Sequence, residues 1–128
     1  MKRLLPVILA LLLALTGCAK SKPKDMPQDV YDQGARVVNV IDEYYKGTTT
    51  LDQVKSVRDE AADYVSKQWS SSLPVNEQLQ ITKVNNCLIS MANALNSFEY
   101  GQLINKDPDA ASEELKKAQK ELKKALNM

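Results

Sequence analysis

The chain has 128 residues, of which 44% are hydrophobic and 26% charged, with 17 Lys+Arg against 16 Asp+Glu and no histidine. This is the size and balance of one small globular domain. It excludes a two-domain solute receptor, a histidine-based catalytic centre and general electrostatic capture of nucleic acid.

The N-terminus opens with the basic segment Met1-Lys2-Arg3, and a nearly continuous apolar run follows from Leu4 to Leu15. Spanning a bilayer core takes about twenty apolar residues in a helix; this run is about twelve, so it reads as a removable export signal. Lys2 and Arg3 leave with the signal, and 17 basic residues less these two are 15 against 16 acidic ones. Leu15-Thr16-Gly17-Cys18 closes the run. Those four residues resemble the lipobox of bacterial lipoproteins, in which small side chains admit the chain to a peptidase and the cysteine thiol receives a diacylglyceryl group.

The resemblance implies cleavage before Cys18, fatty acylation of that residue and a membrane-anchored domain on the outer side. With Ala19 rather than Asp after the cysteine, it implies the outer membrane in a host that has two. It covers residues 1–18 only, so it implies an anchor and a compartment but no activity. Two acyl chains suffice for stable attachment, since each buried CH₂ contributes about 0.8 kcal/mol. The expected organisation is a signal peptide at 1–17, the acylated cysteine and a lysine-rich tether at 18–26, and a helical domain at 27–128. Eight tether residues reach at most about 25–30 Å, which keeps the domain beside its membrane.

Four amphipathic helices follow from apolar spacings of three and four. The first, at 27–46, carries Val30, Gly34, Val37, Ile41 and Tyr44, with Asp25 and Gln28 as an expected capping pair and Gly47 as its stop. Thr50 and Gln53 open the second, at 51–69, with the stripe Val54, Val57, Ala61, Tyr64 and Val65. Pro74 fits the first turn of a third that runs to Tyr100 with Gly101 as its stop, and Ile81, Val84, Leu88, Met91, Leu95 and Phe98 form its stripe. This helix is expected to exceed the others by about a turn. Asp107 and Pro108 begin the fourth, whose stripe is Ala111, Leu115, Ala118, Leu122 and Ala125 or Leu126. Connections of about four to seven residues favour antiparallel neighbours, so the predicted fold is all-α, a small up-down-up-down four-helix bundle.

Little catalytic chemistry is present. The glycines, at 17, 34, 47 and 101, are too scattered for a phosphate loop. Asp59 and Asp63, one turn apart, share a face and read as solvated carboxylates before a cation site. Cys87 lies on the flank of the third stripe and reads as a half-buried small apolar residue; an intermolecular disulfide or a reactive thiol is the sharper alternative. No catalytic residue, metal site or cofactor is expected, and the chain is not expected to be an enzyme.

Two surfaces remain. Lys116, Lys117, Lys120, Lys123 and Lys124 fall within an arc of about 120° opposite the last helix's apolar stripe. This lysine face reads either as a solvated helix end complementing the macrodipole, with Glu113 paired to Lys117, or as a contact for lipid headgroups or a wall polyanion. On the third helix Val75, Leu79 and Ile89 lie more than about 100° from the stripe, and coverage by neighbouring helices is the expected outcome. Tyr31, Tyr45, Trp69 and Tyr100 are binding anchors if exposed, with burial in the core as the plainer expectation. The expected function is a non-catalytic protein-interaction or accessory module at an envelope membrane, of accessory-subunit or immunity type, with a protein partner and no nucleic acid. The alternatives are a ligand- or metal-binding lipoprotein, a small enzyme working in an inter-helix cleft, and a spacer between membrane and wall.

Overall fold

The computed structural model describes residues 21–103 and 108–128. The expected export signal with Leu15, Thr16, Gly17 and Cys18, the following Ala19, the expected cap Asp107 and the Ala111 side chain lie outside the described residues. Helices α1 (Gln28–Tyr45), α2 (Leu51–Gln68), α3 (Val75–Leu103) and α4 (Pro108–Leu126) form an all-α four-helix bundle, with no strand among the described residues. Each helix packs against its sequence neighbour, α4 returns to α1, and α1 also touches α3 across the diagonal.

The bonds between helices give their directions. Tyr64 Oη donates to Asp29 Oδ2 at 2.7 Å, joining the end of α2 to the start of α1, and Arg36 pairs with Glu60 at 2.8 Å midway along both, so the two run oppositely. Lys55 pairs with Glu99 at 2.5 Å and Arg58 Nη1 donates to the Leu88 carbonyl at 3.2 Å, so α2 and α3 also run oppositely. Tyr45 Oη donates to the Ser112 carbonyl at 3.1 Å, which ties the end of α1 to the start of α4.

The stripes meet at the centre. Val30, Val37, Ile41, Val54, Val57, Ala61, Val65, Ile81, Val84, Leu88, Met91, Leu95, Leu115, Leu122 and Leu126 form one buried cluster. A fully buried Leu, Ile, Val or Met side chain contributes about 1.5–3 kcal/mol, which makes this cluster the main source of stability. Gly34 belongs to it for steric reasons: a Cβ there would lie 2.9 Å from Leu126 Cδ1, so its absence lets α4 close onto α1.

Several local expectations are corrected. Asp25 and Gln28 do not cap α1: its N-cap is Pro27 without a side-chain bond, Gln28 Nε2 donates to Asp32 at 2.8 Å, and Asp25 takes a left-handed φ of 65°. Asp25 instead turns the preceding segment back, so that Met26, expected in the tether, is 1% exposed and part of the core. Residues 21–26 thereby fold onto the bundle, fastened by a Lys22 bond to the Met26 carbonyl and by Asn127 Nδ2 donating to the Ser21 carbonyl at 2.9 Å. Gly101 does not end α3, which continues to Leu103. Gly47 does end α1: its φ of 77° lets its N–H reach the Tyr44 carbonyl while Thr48 N–H reaches that of Glu43, the two bonds of a Schellman motif. Thr50 caps α2 by accepting from Gln53 N–H at 3.2 Å, as its spacing predicts.

Helix α3 has 29 residues against 18, 18 and 19 in α1, α2 and α4, a larger excess than the single turn expected. At 1.5 Å per residue it is about 43 Å long, whereas α1 and α2 are about 27 Å each. It therefore presents more surface than its neighbours can cover. No helix among the described residues is long and apolar enough to cross a membrane.

Candidate functional site

The lysine face lies on the outer surface of α4, because Leu115, Leu122 and Leu126 on the opposite side are fully buried. Lys116, Lys117, Lys120 and Lys124 are exposed and Lys123 is half-buried. On the side towards α1, Lys116 pairs with Glu113 at 3.4 Å and sits 5.5 Å from the Tyr45 ring centre, while Lys123 is 3.9 Å from Asp42. The expected Glu113–Lys117 pair is not formed, since Glu113 turns to Lys116. Lys117, Lys120 and Lys124 make no ion pair among the described residues.

Chain entry is at the same end of α4. Ser21 is held by Asn127, three residues past the last lysine of the face. Asn127 itself adopts a left-handed φ of 59°, which lets Met128 N–H reach the Lys123 carbonyl at 2.9 Å and close the helix.

The outer face of α3 overturns the expectation that neighbours cover it. Val75, Leu79 and Ile89 are 68%, 53% and 51% exposed, and Tyr100 on the same face is 63% exposed. Helices α2 and α4 flank α3 and α1 lies behind it, so none of the three reaches the side turned away from the bundle axis. Between these apolar residues the face carries Thr82, Asn86, Asn93 and Ser97, all exposed. Only Glu77, Lys83 and Glu99 are charged in the whole of α3, against nine charged residues in the shorter α4. The face is thus exposed, nearly free of charge and partly apolar.

Of the four candidate anchors, Tyr31 is half-buried against the core. Tyr45 is taken up structurally by Ser112, Lys116 and the edge of Tyr44. Its phenol titrates above the usual range, chiefly because burial disfavours the charged form, against the opposing effect of the Ser112 contact. Trp69 and Tyr100, for which a core position was expected, are 49% and 63% exposed. Tyr64, read from the sequence as part of a core stripe, is instead 37% exposed and bonded to Asp29, and that bond raises its pKa.

Two of the grooves lie between helices. One of about 420 Å³ runs between α3 and α4, lined by Cys87, Ser90, Ala94, Glu114, Lys117 and Glu121 among others. Cys87 is half-buried there, and its thiol is pushed up by burial first and by the Glu121 carboxylate second. A group held in its thiol form is a poor nucleophile. The other groove, about 630 Å³ between α1 and α2, includes Asp32, Arg36 and Glu43, and Arg36 is already engaged by Glu60. Asp59 and Asp63 do not converge: the first bonds Arg58 and the second pairs with Lys67 at 2.7 Å. Among the described residues no group of three or more potential metal ligands is clustered.

Gln119 was missed by the apolar pattern. It is 7% exposed, and its Nε2 donates both to the Val38 carbonyl at 3.0 Å and to Asp42 Oδ1 at 2.8 Å. Its position one residue after Ala118, on the α1 side of the stripe, was the available signal. Comparison with known proteins yields no matching family model, curated sequence or solved structure.

Proposed function

We propose that the protein is an exported lipoprotein held at an envelope membrane by acylated Cys18, where it acts as a non-catalytic protein-interaction module of accessory or immunity type. The observation that carries this reading is the long outer face of α3, where exposed Val75, Leu79, Ile89 and Tyr100 stand among uncharged polar side chains on a chain that otherwise keeps its surface charged. Depletion of charge around exposed apolar and aromatic side chains is the composition of a partner site. The anchor rests on Met1-Lys2-Arg3, the apolar run and Leu15-Thr16-Gly17-Cys18.

Two arrangements support a seat on the membrane. Three peptide steps separate Cys18 from the docked Ser21, a reach of at most about 11 Å, so the bundle rests on the headgroups. Chain entry beside Asn127 turns the last turns of α4 towards that surface, and lysines near an anionic leaflet contribute about 1 kcal/mol each. Lys116, Lys120 and Lys123 then contact lipid, while Lys117 and Lys124 on the α3 flank of α4 and α3 itself stay accessible.

Photo-crosslinking from position 89 in intact cells, with a Cys18→Ser form as control, tests the reading together with mass spectrometry of the mature terminus. A diacylglyceryl-bearing Cys18 and a protein captured only by the anchored form are the expected results. An unmodified terminus, or a retained leader on a soluble chain, overturns the anchor; empty crosslinks at native abundance overturn the interaction role.

A further inference from the structure

The geometry points to a second copy of this chain as the occupant of the outer face of α3, in a two-fold dimer whose α3 helices run antiparallel. This rests on the reading of that face as an interaction surface and names its partner. An isologous contact requires a patch that matches itself after reversal, a condition that few arbitrary helix faces meet.

Helix α3 meets it. Its midpoint is Ile89, and an axis between Ile89 and Ser90 sets Leu79 opposite the partner's Tyr100, Thr82 opposite the partner's Ser97 and Asn86 opposite the partner's Asn93. Apolar residues thus meet at both ends, hydroxyls and amides meet in between, and Ile89 packs at the centre. The side chains so paired are all exposed. No charged residue is brought opposite a like charge along this strip.

The flank contributed by α4 matches as well. Cys87 and Glu121 line the same groove, so the axis crosses α4 close to Gln119. Reversal there places Lys117 opposite the partner's Glu121 and Glu114 opposite the partner's Lys124. Charge complementarity of this order sets register and orientation.

The area is sufficient for a modest dimer. A strip from Val75 to Tyr100, about 38 Å long and 10 Å wide, with roughly 16 Å of α4 alongside, covers on the order of 500 Å² per copy. That is about 1,000 Å² in total, the size of a small, weak interface. Confinement of both copies to one membrane raises their effective concentration and favours association at this size. The axis also keeps both α4 helices on one side of the pair. Both lysine faces, and both chain entries beside Asn127, therefore look the same way, as a dimer seated on one membrane requires.

The test uses the full chain in its membrane, with Cys87→Ala to remove the internal thiol. Adding Ser90→Cys beside the axis is expected to give, on mild oxidation, a species of twice the mass. The Cys87→Ala parent and an Asn39→Cys form on α1 are expected to stay monomeric. Lys117→Glu is expected to reduce the crosslinked fraction about tenfold, by setting like charges together twice, and Lys117→Glu with Glu121→Lys is expected to restore it. Absence of the Ser90→Cys dimer, or failure of the charge exchange to restore it, overturns the second copy as partner. A different protein crosslinked from position 90 overturns it while leaving the interaction reading intact. No crosslink of either kind overturns both.

Discussion

Replacing Gln119 by Met isolates the one buried polar bridge among the described residues. Methionine keeps nearly the length and volume of the side chain and removes both N–H donors. The Val38 bond is neutral and contributes about 1 kcal/mol; the Val38 carbonyl, mid-helix in α1, keeps its own helical partner and is not orphaned. The Asp42 bond is charge-assisted and belongs nominally in the range of about 1.5–3 kcal/mol. Asp42's side chain is 43% exposed, however, so water replaces most of what is lost and about 1 kcal/mol remains. Burying a thioether in place of an amide returns about 0.5–1 kcal/mol. The net expectation is a loss of about 1–1.5 kcal/mol, read by urea denaturation followed by circular dichroism, with a fall in Tm of roughly 5–10 °C. A double-mutant cycle with Asp42→Ala should show coupling of about 1 kcal/mol between the two residues. A Gln119→Met chain as stable as the parent, or additive effects in the cycle, would refute the bridge as a stabilising element.

Thr50→Ala removes the cap of α2 and should cost about 1 kcal/mol in the same denaturation assay, with Thr50→Ser nearly neutral. Tyr64 is raised by donating to Asp29, so its neutral form is the one the fold favours. The associated stability is present below the unfolded phenol pKa and is lost as pH rises through the folded one. Asp29→Asn should therefore move the Tyr64 ultraviolet titration downwards, and an unchanged curve would contradict the contact. Cys87 should react with a disulfide reagent at pH 8 more slowly in the folded chain than in urea, because burial and Glu121 hold it as the thiol. Measured on a Cys18→Ser form, equal rates in the two conditions would show that the groove does not shield it.

The four helices, their core stripes and the bundle class are legible in the sequence because a 3.6-residue period of Val, Leu, Ile and Met leaves one way to bury each face. The stop at Gly47 and the cap at Thr50 are equally local, since each depends on one residue's backbone or one side chain. The lysine arc on α4 follows from the same period. The basic start, the apolar run from Leu4 to Leu15 and the resemblance of Leu15-Thr16-Gly17-Cys18 to a lipobox are properties of residue order and need no fold.

What the period does not contain is which side of a helix its neighbours leave open. Val75, Leu79, Ile89 and Tyr100 are covered or exposed according to where α2 and α4 sit around α3, and that is decided by packing geometry and by the extra length of α3. Met26 enters the core because Asp25 turns back towards an open bundle end, and Gln119 is buried because Val38 and Asp42 of α1 stand opposite it. Gly34 is needed only because Leu126 approaches it. Each of these depends on residues far apart in the chain being brought together, so only the tertiary structure decides them.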